Sequence, residues 1–259
     1  MDLGIKGRKA IVCASSRGLG LGTAKALAEA GCDLVINGRD GAYLATIAEQ
    51  LRSTYGVSVQ AIAADVSTAK GQDDILAACP EPDILVNNNG GPPRKDFREL
   101  DREAMLAGVT QNFVTPIELI QKTIDGMADR GFGRIVNITS MSVVMPLQGL
   151  DLSSGARAGL TAFLAGVARQ YADRNVTINN VLPGKFDTDR LKGLFERQSE
   201  ETGQSIEECK VAAAQEIPAH RLGTPEEFGQ AAAFLCSQYA SYITGQNLLL
   251  DGGLYPSAF

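Results

Sequence analysis

Glycines at 18, 20 and 22 stand directly behind a short apolar run, Ala10 to Ala14, and directly before a helical pattern of Thr23, Ala24, Ala26, Leu27, Ala28 and Ala30. A strand feeding a glycine turn feeding a helix brings bare backbone against an anion. Glycine permits the tight turn and puts no Cβ in the path of a ligand. The helix start then offers unpaired N–H groups and a positive dipole end to phosphate. The chemistry expected of Arg8–Gly22 is therefore nucleotide phosphate binding, because the triplet sits in the strand–turn–helix context that the mechanism requires. Metal chemistry is not expected: the chain has one His, and its five cysteines (Cys13, Cys32, Cys79, Cys209, Cys236) lack ligand spacing.

The elements that must hold this loop follow from the rest of the chain. At 259 residues with 44% apolar content there is material for one large core or two small ones. The net charge of −6 and the lack of a basic stripe argue against a nucleic-acid surface. No apolar run reaches the roughly 18 residues of a membrane span. The start, Met1–Ala10, does not read as a signal peptide. With scattered, odd-numbered cysteines, buried thiols in a cytoplasmic protein are expected.

Apolar strand candidates recur at 9–14, 33–37, 57–63, 83–88, 134–139, 177–182 and 246–250. Helical patterns lie near 22–30, 41–55, 69–78, 100–129, 154–173 and 225–237. This alternation predicts a single α/β domain spanning 1–259, a doubly wound, Rossmann-type, mainly seven-stranded parallel sheet with helices on both faces. One stretch breaks the rhythm. Residues 187–222 fit two short amphipathic helices split near Thr202–Gly203–Gln204. Leaving from the carboxyl end of a strand, they read as an active-site lid; the alternative is a surface excursion. Phe186, Leu191, Leu194 and Phe195 would give it a small apolar patch. The stripe Ala156, Leu160, Phe163, Leu164, Val167, Ala168 and Tyr171 reads either as core or as an association surface.

Several separated motifs resemble one family, the short-chain dehydrogenases/reductases, and the resemblance runs over essentially the whole chain. Ser15-Ser16-Arg17-Gly18-Leu19-Gly20 resembles that family's glycine loop, and Asp65-Val66 its adenine contact. Asn88, Asn89 and Gly90 fall in a turn similar to its Asn-Asn-Ala-Gly, with Asn87 before them. Asn112 sits where the family keeps a structural or proton-relay Asn, and Ser140 at the catalytic serine position. Pro183, Gly184 and Thr188 match the loop that holds the nicotinamide amide. The tail, Leu222–Glu227 through Asp251-Gly252-Gly253, is similar to the 3-oxoacyl-acyl-carrier-protein reductase branch. The resemblance implies an oxidoreductase acting on a carbonyl or secondary alcohol with a nicotinamide cofactor, and a homotetramer, or failing that a dimer.

The choice of cofactor has a physical basis. A 2′-phosphate wants a guanidinium and repels a carboxylate. The end of the second strand reads Val35-Ile36-Asn37-Gly38-Arg39-Asp40, with no acid at Asn37, where relatives that prefer NAD place one. Arg39 and Arg17 could face one phosphate, or be ordinary surface arginines. NADP(H) is expected over NAD(H).

The pattern breaks at the chemistry. The family's Tyr stands thirteen residues after the catalytic Ser, with a Lys four further on. Counting from Ser140 gives Ser153 and Arg157, and Arg157-Ala158-Gly159-Leu160 supports the register. No Tyr lies between Tyr55 and Tyr171. A Ser hydroxyl is far less acidic than a phenol, and Arg stays protonated. Losing one general acid costs about 10²–10⁴ in rate. Positioning of donor and acceptor survives that loss, so turnover by a non-standard site remains the first expectation, with Ser140, Ser153, Arg157 and Asn112 in the catalytic roles and Arg157 also binding the cofactor through its ribose hydroxyls. Asp151, Lys185 and His220 are candidate replacement acids. Each has another reading: Asp151 as a helix cap, Lys185 as a solvated loop charge, His220 as structural. Ser154 reads as a cap, and nothing resembles a Ser–His–acid triad. The smaller departures are Cys13-Ala14 for Thr-Gly, with Ala14 expected to be tolerated at a strand end, and Asn89 for a small residue. The alternative function is a nucleotide-binding protein without redox turnover.

Overall fold

A computed structural model describes residues 2–92 and 94–257. Seven parallel strands form one sheet: β1 (Lys9–Val12), β2 (Asp33–Gly38), β3 (Val59–Ala63), β4 (Ile84–Asn87), β5 (Gly133–Ile138), β6 (Val176–Pro183) and β7 (Asn247–Leu250). Their order is β3-β2-β1-β4-β5-β6-β7, so the winding reverses between β1 and β4. A ligand crevice opens outside the strand ends at such a reversal. The central strands bury almost every side chain, as strands covered on both faces must.

The helices are α1 (Gly18–Glu29), α2 (Gly41–Tyr55), α3 (Ala69–Ala78), α4 (Arg102–Val109), α5 (Thr115–Asp129), α6 (Asp151–Tyr171), α7 (Asp189–Thr202), α8 (Ile206–Gln215) and α9 (Pro225–Cys236). Two apolar layers sandwich the sheet. One joins α1, α2 and α9 through residues such as Leu27, Leu44 and Phe228. The other joins α3, α5 and α6 through Ile75, Leu119, Leu160 and Leu164. α2, α3, α4, α7, α8 and α9 start on side-chain caps: Asp40, Thr68, Asp101, Thr188, Ser205 and Thr224. α1 does not. Its cap residue, Arg17, makes no side-chain cap bond, so the first N–H groups of α1 face outward unclaimed by a cap.

Beyond shifts of a residue or two at other strand and helix ends, four differences from the sequence reading bear on the site. α1 begins at Gly18, not near 22, because its glycines belong to the helix start itself. The helical stretch 100–129 is broken by a π-turn at Thr110–Val114, which holds Asn112. β1 ends at Val12, leaving Cys13 and Ala14 outside the strand. α6 starts at Asp151, one turn upstream of the sequence reading.

The segment 187–222 forms the two helices α7 and α8, parted at Gly203 with φ +75. They enclose a small core of Phe195, Cys209, Ala213, Ile217 and Leu222. Phe186 packs edge-on against Phe228 at 5.4 Å. Phe186 and Phe195 are thus buried in packing rather than offered to a ligand, a correction to the expected patch. The α6 stripe also divides: Leu160, Leu164 and Ala168 are core, while Phe163 is 48% exposed.

Candidate active site

The glycine loop does what its composition demands, but each glycine has a separate reason. Gly18 sits at φ +54 and makes the turn. At Gly20 a Cβ would lie 2.4 Å from the Ala14 carbonyl oxygen and 2.8 Å from Asn88 Nδ2. At Gly22 it would lie 2.1 Å from the Pro225 carbonyl oxygen, and at Gly229 2.1 Å from the Gly22 carbonyl oxygen. Gly22 therefore serves the close crossing of α1 and α9, not the phosphate. Ser15 is buried: its Oγ donates to the Val12 carbonyl and accepts from Asn37 N–H. Ser16 borders Gly38, and Leu19 packs against the apolar layer.

Asn37 departs from expectation. It is buried; its Oδ1 accepts from Ala14 N–H, and its Nδ2 donates to the Ile62 and Ala64 carbonyls. It ties the ends of β1, β2 and β3 together, with its side chain committed to backbone partners. The β2 residue that borders the glycine loop is Gly38, whose Cβ would stand 3.1 Å from Ser16 Oγ. The sequence reading missed Gly38; its place beside Arg39 at the strand end was the available signal. Ala14 is the second correction: it holds φ +43, in the left-handed region that costs an L-residue about 1–2 kcal/mol.

Arg17 lies 4.3 Å over the Tyr43 ring at the start of α2 and pairs with Asp189 at 3.4 Å. Arg39 is exposed at the end of β2, with no ion pair among the described residues. Asp65 accepts from Ser67 N–H and stays exposed, while Val66 is buried. Asn88 Nδ2 donates to the Ala14 carbonyl at 3.0 Å, joining the ends of β1 and β4. Asn89 Nδ2 donates to Ser67 Oγ, and its Oδ1 takes the Gly90 N–H. Pro183 and Gly184 close β6, and Gly184 N–H bonds the Leu250 carbonyl. Thr188 caps α7, and its methyl group faces Gly18, so α7 begins directly over the glycine turn.

These features fit a dinucleotide. The helix start is uncapped, Gly20 has no room for a side chain, Gly38 leaves the adenosine end open, and two guanidinium groups flank it. When bound, a reduced nicotinamide supplies hydride.

Deeper in the crevice a cavity is lined by Val66, Asn87, Asn112, Thr115, Asn137 and Arg157, among others. Asn87 Oδ1, Asn112 Oδ1 and Thr115 Oγ are buried there without a hydrogen-bond partner. The Asn112 Nδ2 is committed to the Gly108 carbonyl, one turn back in α4. Arg157 forms one wall. Its Nε donates to Ser153 Oγ at 3.2 Å and its Nη1 to the Ile138 carbonyl at 2.7 Å. Both side chains are buried, at 5% and 7% exposure. Burial, with the nearby Arg190 charge second, holds the guanidinium down to about 10. Ser140 Oγ accepts the Ser142 N–H and so caps the short turn Met141–Val143 just beyond β5.

The three sequence candidates for a replacement acid stand elsewhere. Asp151 is exposed at the first turn of α6 and caps nothing. Lys185 Nζ is bound by Glu216. His220 lies on an exposed turn at φ +52. None of them lines the cavity beside Arg157, and neither do Ser140 and Ser153; of the four expected catalytic residues, Asn112 and Arg157 do. All five cysteines are free and buried, and burial pushes Cys13, beside the glycine loop, up to about 12. Cys13 is therefore no nucleophile.

A doubly wound parallel sheet with a glycine turn at its switch point and a serine just beyond its fifth strand defines a nicotinamide-dependent oxidoreductase class. Comparison with known proteins agrees. The family model described as enoyl-(acyl carrier protein) reductase matches residues 13–255. The 3-oxoacyl-(acyl-carrier-protein) reductase FabG of Aquifex aeolicus is 33% identical over 263 residues, covering 98% of this chain and all of that protein. The NADPH-dependent reductase BacG of Bacillus subtilis is 32% identical, covering 95% and 97%. Among solved structures, L-sorbose reductase of Gluconobacter frateurii, complexed with NADPH and L-sorbose, superposes with a TM-score of 0.94 at 29% identity, covering 99% and 100%. The chain belongs to the short-chain dehydrogenase/reductase family, in its 3-oxoacyl-(acyl-carrier-protein) reductase-like part. It is an NAD(P)-dependent short-chain oxidoreductase. Among the described residues no helix is long and apolar enough to cross a membrane.

Proposed function

We propose that this protein is an NADP(H)-dependent carbonyl reductase, running in reverse as a secondary-alcohol dehydrogenase, in which Ser153 and Arg157 take the places of the family's Tyr and Lys. The observation that carries the reading is the buried Arg157–Ser153 contact. Arg157 Nε occupies a lone pair of Ser153 Oγ and leaves the hydroxyl hydrogen free to donate. Ser140 and Ser153 hydrogen-bond the substrate oxygen. As negative charge grows there, Arg157 stabilises it through Ser153 in a low-dielectric wall, where preorganised donors are worth most. The proton passes from Ser153 Oγ to the substrate oxygen, and solvent replaces it on the serine. Arg157 stays charged throughout, which suits a guanidinium. Asn112 steadies the π-turn beside the cavity.

NADP(H) preference rests on Arg17, Arg39 and the bare Gly38. α7 and α8 act as a lid, since Thr188 sits over Gly18 and α7 leads away from it. A homotetramer is proposed from Met105, Leu106, Val109 and Phe163, exposed apolar groups on the adjoining helices α4 and α6. A cytoplasmic setting accords with five free thiols.

The test is NADPH consumption across a panel of ketones, aldehydes and oxo acids, with NADPH affinity measured in parallel. Turnover that collapses in Arg157→Met while NADPH still binds supports the reading. Tight NADPH binding with no turnover on any member refutes it.

A further inference from the structure

The mouth of the site gathers positive charge that the chain itself does not neutralise. Arg190, in the first turn of α7, lays its guanidinium over Gly91; a Cβ there would meet its Nη1 at 2.6 Å, and Nη2 reaches toward the Pro92 carbonyl. Arg94 donates from Nε to the Gln148 carbonyl and so bridges the loop after β4 to the loop before α6. Arg157 closes the inner wall from α6. Among the described residues none of these three guanidinium groups has a carboxylate partner.

Three of the rim acids are paired, and the fourth, Asp151, has no ion pair among the described residues. Asp187 pairs with Lys210, Asp189 with Arg17, and Asp96 with Arg98. Asp151 is exposed on the outer start of α6. Of the three guanidinium groups, Arg157 is buried, and a buried arginine without an acid is costly; Arg190 and Arg94 are exposed and so open to an incoming anion. A side chain at Gly91 would push the flexible end of Arg190 aside.

Resting on the reductase reading above, we infer that the substrate is an oxo acid, its carbonyl held by Ser140 and Ser153 and its carboxylate held by Arg190 at the Gly91 loop, with Arg157 and Arg94 adding to the field. A guanidinium binds a planar carboxylate with two parallel hydrogen bonds, which fixes orientation as well as charge. The other anion near by, the cofactor pyrophosphate, belongs to the Gly18 turn, which Thr188 covers. Arg190 instead stands over the loop after β4.

The test uses the full-length protein loaded with NADP⁺, which blocks reduction. Calorimetry compares 2-oxobutanoate and 3-oxobutanoate with their methyl esters and amides. At least one acid should bind more tightly than its ester by roughly ten- to a hundredfold. Arg190→Gln should bring that ratio close to one, whereas Lys192→Gln, an exposed lid cation, should leave it intact. Equal binding of acid and ester overturns the inference. So does Arg190→Gln if it weakens NADP⁺ itself and spares the ratio, since the guanidinium then serves the pyrophosphate. NADPH consumption is read separately. Acid binding without any turnover refutes the reductase reading and keeps the carboxylate site; equal turnover of neutral ketones does the reverse.

Discussion

Arg157 Nε rests on Ser153 Oγ at 3.2 Å, one helical turn away along α6, with both side chains buried. The pair makes the local chemistry unlike that of a phenol beside an ammonium. Restoring the usual pair tests the register. Ser153→Tyr with Arg157→Lys should raise NADPH-linked reduction by about 10²-fold, within the range of one general acid. A folded, cofactor-binding double variant with no gain would place the reacting hydroxyl elsewhere.

Arg157 also weighs on stability. Its guanidinium is held down to about 10, below its ordinary 12.5, chiefly by burial and secondly by Arg190. The folded chain thus binds the proton less well than the unfolded chain. The cost is fully present below about pH 10 and is relieved as pH climbs from there toward the unfolded value. Arg157→Met should stabilise the cofactor-free protein by about 1 kcal/mol and reduce turnover about 10²–10³-fold. Thermal unfolding and NADPH consumption on one preparation check both; a destabilised variant contradicts the first half.

Ala14 is strained. At φ +43 it carries a conformation that glycine adopts freely. Ala14→Gly should raise stability by about 0.5–1 kcal/mol after allowing for the greater freedom of glycine in the unfolded chain. Chemical denaturation measures it, and a lower midpoint at unchanged slope would show that the backbone bears no strain there.

Coenzyme choice should reside in two arginines. Arg17→Glu and Arg39→Glu should each weaken NADPH binding on the order of tenfold and alter NADH binding far less. A parallel loss for both coenzymes would mean that these side chains hold the common adenosine rather than the 2′-phosphate.

The crossing of α1 and α9 should be intolerant of any methyl group. Gly229→Ala puts a Cβ against the Gly22 carbonyl and should cost about 1–3 kcal/mol. Circular dichroism melting reads it, and an unchanged melting temperature would show that the helices can part without penalty.

Periodicity was enough to establish the alternation of strands and helices, because strands covered on both faces need apolar runs and their helices need one apolar stripe. The glycine turn and the break at Gly203 were legible too, since glycine marks positions that other residues cannot hold. Side-chain direction was not legible. Asn37 stands at the expected strand end, yet it turns inward to bind three strands, and Gly38 takes the place beside the loop. Nor could spacing separate Gly22, a helix-crossing residue, from Gly18, a turn residue. The sequence alone determined which chemical groups were present and absent: a glycine-rich turn, a serine just beyond the fifth strand, and no tyrosine between Tyr55 and Tyr171. Tertiary structure decided their company. Arg190 meets Gly91, and Lys185 meets Glu216, through contacts between distant parts of the chain that no local pattern encodes, and those contacts decide which charges are paired.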